Sequence, residues 1–130
     1  MNERSYENLE RVHPLLIRVL EESAKTVDFT VTEGVRSIER QKYLYEQGRT
    51  REGRIITNVD GINKKSKQQL RADGYGYAVD LYANPIDVND TERIAIVAAA
   101  IKETARKLGV SIVWGGDLRM KDYPHFELCG

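Results

Sequence analysis

Leu9, Val12, Leu16, Val19 and Leu20 recur at helical spacing, which predicts an amphipathic helix over residues 6–25. Ser5 is the expected N-cap, and Pro14 is expected to kink or restart the helix. Residues 28–32 (DFTVT) are β-branched and aromatic, the mark of a strand. Glu33 and Gly34 turn the chain, and Ser37 caps a second helix over 38–47 that Gly48 ends. From 49 to 73 the periodicity fades into a long loop, with a short hairpin expected around 55–62. Residues 75–82 (YGYAVDLY) alternate, with Tyr77, Val79 and Leu81 on one face and Ala78, Asp80 and Tyr82 on the other. Ile94, Val97, Ala98, Ile101, Ala105 and Leu108 form the core stripe of a helix over 91–108, capped by Asn89 or Asp90 and ended by Gly109. A strand at 111–114, a Gly115-Gly116 turn and a last strand at 125–128 complete the chain. Helices and strands mix without regular βαβ alternation. The expectation is an α+β fold, one domain over 1–130, with a small, mostly antiparallel sheet packed against about three helices.

Composition narrows the function classes. Twenty Lys+Arg balance twenty Asp+Glu, which argues against a general nucleic-acid binder. No apolar run is long enough to cross a membrane, and residues 1–10 lack the pattern of a signal peptide. One cysteine, Cys129, excludes an internal disulfide, and two histidines, His13 and His125, exclude a three-histidine metal site. The stretch holding Arg49, Arg51, Arg54, Lys64, Lys65, Lys67 and Arg71 is locally basic. It reads as a solvated loop or as an aid to adsorption on an anionic surface.

Four segments carry candidate chemistry. Asp122 and His125 form a D-x-x-H pair at the start of the last strand. Imidazole is a good zinc ligand, and a nearby carboxylate can act as a general base. The bland reading of the pair is a surface turn with a structural histidine. Asp80 interrupts an apolar strand, where a carboxylate is costly unless it is paired, hydrogen-bonded or on a metal; the alternative is a residue facing solvent. Arg36 follows a strand and precedes a helix cap, a place from which a guanidinium reaches a carboxylate or an oxyanion, or simply solvent. The tyrosines and Trp114 either fill the core or line a groove.

Taken in order, the segments TEGVRS (32–37), SKQ (66–68), GYAVD (76–80) and DYPHFE (122–127), with WGGD (114–117) before the last, resemble the zinc peptidases that cleave peptidoglycan stem peptides. That family includes D-alanyl-D-alanine carboxypeptidases and phage endolysins with L-alanyl-D-glutamate peptidase activity, and the size is most like an endolysin. The resemblance implies Zn2+ as cofactor, with Asp80 and His125 as ligands. It implies Asp122 as the general base and Arg36 on the scissile carbonyl. Ser66, Tyr77 and Trp114 are the implied substrate contacts. It also implies peptidoglycan as partner, no nucleic acid, no membrane and a monomer. Synthesis without a signal peptide in the host cytoplasm, followed by action on the wall, completes the expectation.

One position departs from the pattern. The family's first zinc ligand is the histidine of its S-x-H segment, and this chain has Gln68 there. A neutral amide oxygen is a poor substitute for imidazole on zinc. The expectation is therefore an impaired metal site, with Asp73 as a conceivable replacement ligand. The alternative is a non-catalytic wall- or partner-binding module on the same fold. His13 is expected to be a packing or surface histidine.

Overall fold

Pro14 divides what hydrophobic spacing alone merges. The computed structural model describes residues 1–36, 43, 45–47, 49 and 67–129. Its elements are α1 (Glu3–Asn8), α2 (Pro14–Ser23), β1 (Phe29–Glu33), β2 (Ala78–Ala83), α3 (Thr91–Leu108), β3 (Ile112–Trp114), a single 3-10 turn (Gly115–Asp117) and β4 (His125–Leu128). The single helix expected over 6–25 is thus two helices. Proline lacks an N–H and is favoured at a helix start, where that donor has no partner. His13 caps α2, its Nδ1 accepting from the Leu15 N–H at 3.1 Å. Arg11, at φ 62°, makes the turn between the helices. Its carbonyl accepts from the Gly76 N–H at 2.8 Å.

The α1 cap is Asn2 rather than Ser5. Ser5 is fully buried, and its hydroxyl donates to Asn2 Oδ1 at 2.7 Å and accepts from the Val31 N–H at 2.9 Å. A serine that ties a helix to a strand is no longer available to cap. The third expected helix matches its signals closely. Asp90 accepts from the Arg93 N–H, and Gly109 closes the end at φ 69°, a left-handed conformation that glycine adopts without a Cβ clash. The helix expected over 38–47 and the hairpin at 55–62 fall largely or wholly outside the described residues, as does most of the 49–73 loop.

The four strands form one sheet in the order β1-β2-β4-β3, antiparallel at every pairing. The second strand begins at Ala78, later than the 75–82 alternation suggests. Val79, Leu81 and Phe126 are fully buried with Leu16, Val19 and Leu20 of α2 and Ala98 and Ile101 of α3. Helices therefore cover one face of the sheet, while Asp80, His125 and Glu127 alternate out of that core. A β-bulge between Val31 and Glu33 shifts the register so that Glu33 stands opposite Asp80. Such bulges re-aim side chains at the end of a strand.

Gly115 fixes the approach to β4. A Cβ there would lie 2.0 Å from the Asp122 carbonyl oxygen and 3.0 Å from the His125 Cβ. The Gly115 carbonyl in turn accepts from the Asp122 N–H at 3.0 Å. Gly115→Ala should therefore push the 115–125 segment outward and cost about 1–3 kcal/mol, the usual cost of overpacking. Urea unfolding measures this; an unchanged midpoint would contradict the tight packing described.

Candidate active site

The site grows from a register. In the β2–β4 ladder Asp80 pairs with His125, so a carboxylate and an imidazole face each other on the open side of the sheet. His125 Nδ1 lies 3.6 Å from Asp80 Oδ1. His125 Nε2 lies 3.3 Å from Glu127 Oε1, and Glu127 Oε2 lies 2.6 Å from Lys67 Nζ.

Arg36 arrives from the end of β1. Gly34 permits this, because a Cβ there would meet the Asn8 carbonyl oxygen at 1.6 Å. The Arg36 guanidinium is held on three sides. Nε donates to Glu33 Oε1 at 3.1 Å, Nη2 donates to Gln68 Oε1 at 2.8 Å, and Nη2 stands 3.6 Å from Asp80 Oδ2. Gln68 is 1% exposed. Its Nε2 donates to the Gly34 carbonyl at 3.2 Å, and its own carbonyl accepts from the Arg36 N–H at 2.6 Å.

Asp80 Oδ1 is buried and has no hydrogen-bond partner among the described residues. Leaving a buried acceptor unsatisfied costs about 1–3 kcal/mol, more for a charged one. A cation between Asp80 Oδ1 and His125 Nδ1, whether a proton or a metal ion, would satisfy both. These two atoms suit a divalent metal. The third expected donor does not. Gln68 Oε1 already faces a guanidinium, and a second cation on that oxygen would be repelled. Among the described residues no three His, Cys, Asp or Glu side chains group to hold a metal. The residues present thus provide two metal donors and an occupied amide.

Asp122 lies on the exposed rim of the same site. Loss of solvent and then the charge of Asp80 push its carboxyl above the usual range, against the opposing charges of His125 and Arg36. Burial and the charges of Asp80 and Asp122 likewise push the Tyr82 phenol up, which places Tyr82 beside them. For His125 burial acts downward, but contact with Asp80 and the charges of Asp80, Asp122 and Glu127 outweigh it and raise the imidazole above 6.5.

Four expected residues therefore converge: Arg36, Gln68, Asp80 and His125, with Asp122 at the rim. Ser66 lies outside the described residues. Two expected substrate contacts are placed elsewhere. Tyr77 donates its hydroxyl to Asp73, packs 5.0 Å from the His13 ring and carries Arg71 over its face at 3.8 Å. Tyr77 precedes β2 and is placed by these contacts. Asp73 is engaged by Tyr77 and by the Tyr75 N–H at 3.0 Å, so it does not stand in for the missing ligand. Trp114 is 8% exposed and belongs to the core, stacked on Phe126 and donating Nε1–H to the Tyr123 carbonyl at 2.7 Å. It holds the turn that carries Asp122 and His125 rather than lining a groove. Glu33, Lys67, Tyr82 and Glu127 complete the site, although the sequence did not mark them as members of it. The available signal was position: Tyr82 follows Asp80, and Glu127 follows His125, by one strand repeat.

The raised imidazole makes a prediction for the metal-free protein. Its charged form stabilises the fold fully below 6.5, and that contribution fades as pH rises through the folded value. Asp80→Asn removes the main opposition to burial, so the His125 midpoint should fall. Two histidines make this a simple NMR titration, and a midpoint that stays or rises would contradict the assigned cause.

Comparison with known proteins identifies the family. The chain matches the phage L-alanyl-D-glutamate peptidase family over residues 1–128. It is 34% identical over 115 residues to the peptidoglycan L-alanyl-D-glutamate endopeptidase CwlK of Bacillus subtilis (strain 168), covering 80% of this chain and 62% of CwlK. This chain therefore spans less than two thirds of that relative's length. The crystal structure of the Serratia marcescens L-Ala D-Glu endopeptidase ChiX superposes with a TM-score of 0.73 at 35% identity, covering 99% of this chain and 89% of ChiX. With its α+β fold and its convergent Arg36, Asp80, Asp122 and His125, the chain belongs to the phage L-alanyl-D-glutamate peptidase family.

Proposed function

We propose that the chain is a peptidoglycan stem-peptide endopeptidase for the L-alanyl-D-glutamate bond, of the zinc metallopeptidase type and impaired at Gln68. One observation carries this reading: three segments distant in sequence bring Arg36, Asp80, Asp122 and His125 to one open face. The named activities of CwlK and ChiX support the substrate class.

The roles follow from chemistry at each atom. Asp122, at the rim with a raised carboxyl, takes a proton from the attacking water and returns it to the leaving amine. Arg36, steadied by Glu33 and Gln68, steers the scissile carbonyl and stabilises the developing oxyanion. Asp80 and His125 are zinc donors in kind. Gln68 is not a working third donor, so zinc binding is weak and hydrolysis slow in this chain. The protein acts as a monomer on the bacterial wall after release from a phage-infected cell. Among the described residues no helix is long and apolar enough to cross a membrane.

A second reading is favoured by one contact set. The Gln68 amide is used at both ends, by Arg36 and by the Gly34 carbonyl, so the site is stable without metal. A wall-binding module that holds the stem peptide without cutting it would have this construction.

Gln68→His separates the readings. The histidine form should gain zinc affinity by more than the roughly 10–100-fold associated with an outer-shell partner and release new amino groups from peptidoglycan. Metal content by mass spectrometry and amino-group release measure this. Stoichiometric zinc with no cleavage, while intact wall still pulls the protein down, would establish the binding module. Tight zinc and equal cleavage in the unaltered chain would overturn the impairment.

A further inference from the structure

Glu127 plays no part in the roles above, yet both of its carboxylate oxygens are engaged at the site. Strand alternation places it on the same face as His125, opposite Ala78 on one neighbour and Val113 on the other. Its side chain is largely buried, with Oε2 at 2.6 Å from Lys67 Nζ and Oε1 at 3.3 Å from His125 Nε2. Lys67 is itself anchored, because its carbonyl accepts from the Tyr77 N–H at 2.8 Å. The residue after Lys67 is Gln68, so one chain of contacts ties the Gln68 segment to the imidazole.

A carboxylate paired with an ammonium can only accept a hydrogen bond. The Nε2 of His125 must therefore carry the proton it shares with Glu127. The lone pair of the neutral ring is then on Nδ1, which points at Asp80 Oδ1, itself without a hydrogen-bond partner among the described residues. Two acceptors facing each other at 3.6 Å repel until a cation comes between them. The opposite tautomer would satisfy Asp80 alone and leave Glu127 facing a lone pair.

We propose that Glu127, held by Lys67, is a positioning residue that keeps the imidazole proton on Nε2 and reserves Nδ1 for the cation that Asp80 shares. Partners of this kind commonly set which nitrogen of a histidine stays available. A plain surface ion pair would do less, since it contributes about 0–1 kcal/mol and leaves the ring indifferent. The proposal rests on reading His125 as a site residue, but its test needs neither metal nor cleavage.

The experiment is two-dimensional NMR of the metal-free chain labelled with 15N-histidine, at a pH above the His125 titration. His13 caps α2 and serves as the folding reference. The unaltered protein should show His125 in one tautomer, protonated on Nε2. Glu127→Gln keeps a side-chain oxygen that accepts, and should keep that tautomer. Glu127→Ala leaves Asp80 as the main acceptor, and the Nδ1 and Nε2 shifts should move toward the opposite tautomer. An Nδ1-protonated ring in the unaltered chain would overturn the proposal, even if Glu127→Ala does not fold. So would a folded Glu127→Ala that keeps the original tautomer. Failure of the peptidase reading would show instead in the Gln68→His cleavage assay, with these spectra unchanged.

Discussion

A carboxylate within a sheet needs positive charge beside it, and in this chain Asp80 draws it from two sides. Across the β2–β4 ladder stands His125; from the end of β1 comes Arg36. Each supply depends on a separate feature of the backbone. The ladder register sets the first. The bulge after Val31 and the close packing of Gly34 on Asn8 set the second. Remove either, and a partly buried charge is left with an unpaired acceptor. The helices matter to the site mainly by covering the other face, so that alternation leaves Asp80, His125 and Glu127 together on the open one.

The same contacts bear on the position where the sequence resemblance leads one to expect a histidine and this chain has Gln68. Gln68 does not leave a gap. It is buried, it donates to the Gly34 carbonyl, and it accepts from Arg36. The guanidinium thereby bridges Gln68 and Asp80 and brings positive charge close to where a metal would sit. The site is electrostatically satisfied in part without a metal, and Asp80 Oδ1 is left without a hydrogen-bond partner among the described residues. That residual acceptor, facing an imidazole, retains an affinity for a proton or a cation.

Much of this was legible in the sequence because the signals were local. Asp90 and Gly109 bound α3, since a cap and a left-handed glycine act within one turn. Arg36, Gln68, Asp80 and His125 came from motif order, and the structure brings them into contact. Non-local constraints were not legible. Leu9 and Leu16 share one helical phase, so Pro14 signals a kink or restart but the turn itself is set by Arg11, whose carbonyl is bonded to the Gly76 N–H far along the chain. Trp114 and Tyr77 each present an apolar ring and a polar tip, a chemistry that serves core and groove equally. Only their partners, the Tyr123 carbonyl and the Asp73 carboxylate, separate the cases. Glu127 reads in sequence as one more exposed strand residue, because nothing local announces that Lys67 will reach it.

On the proposed function, Arg36 and Gln68 together hold the place a metal would need. The most direct test is a crystal structure of the unaltered chain grown with zinc, read at the zinc anomalous edge. No fully occupied zinc site should appear between Asp80 and His125, and the Gln68 amide should still be bonded to Arg36. A fully occupied zinc ligated by Asp80, His125 and Gln68 Oε1, with Arg36 displaced, would contradict it.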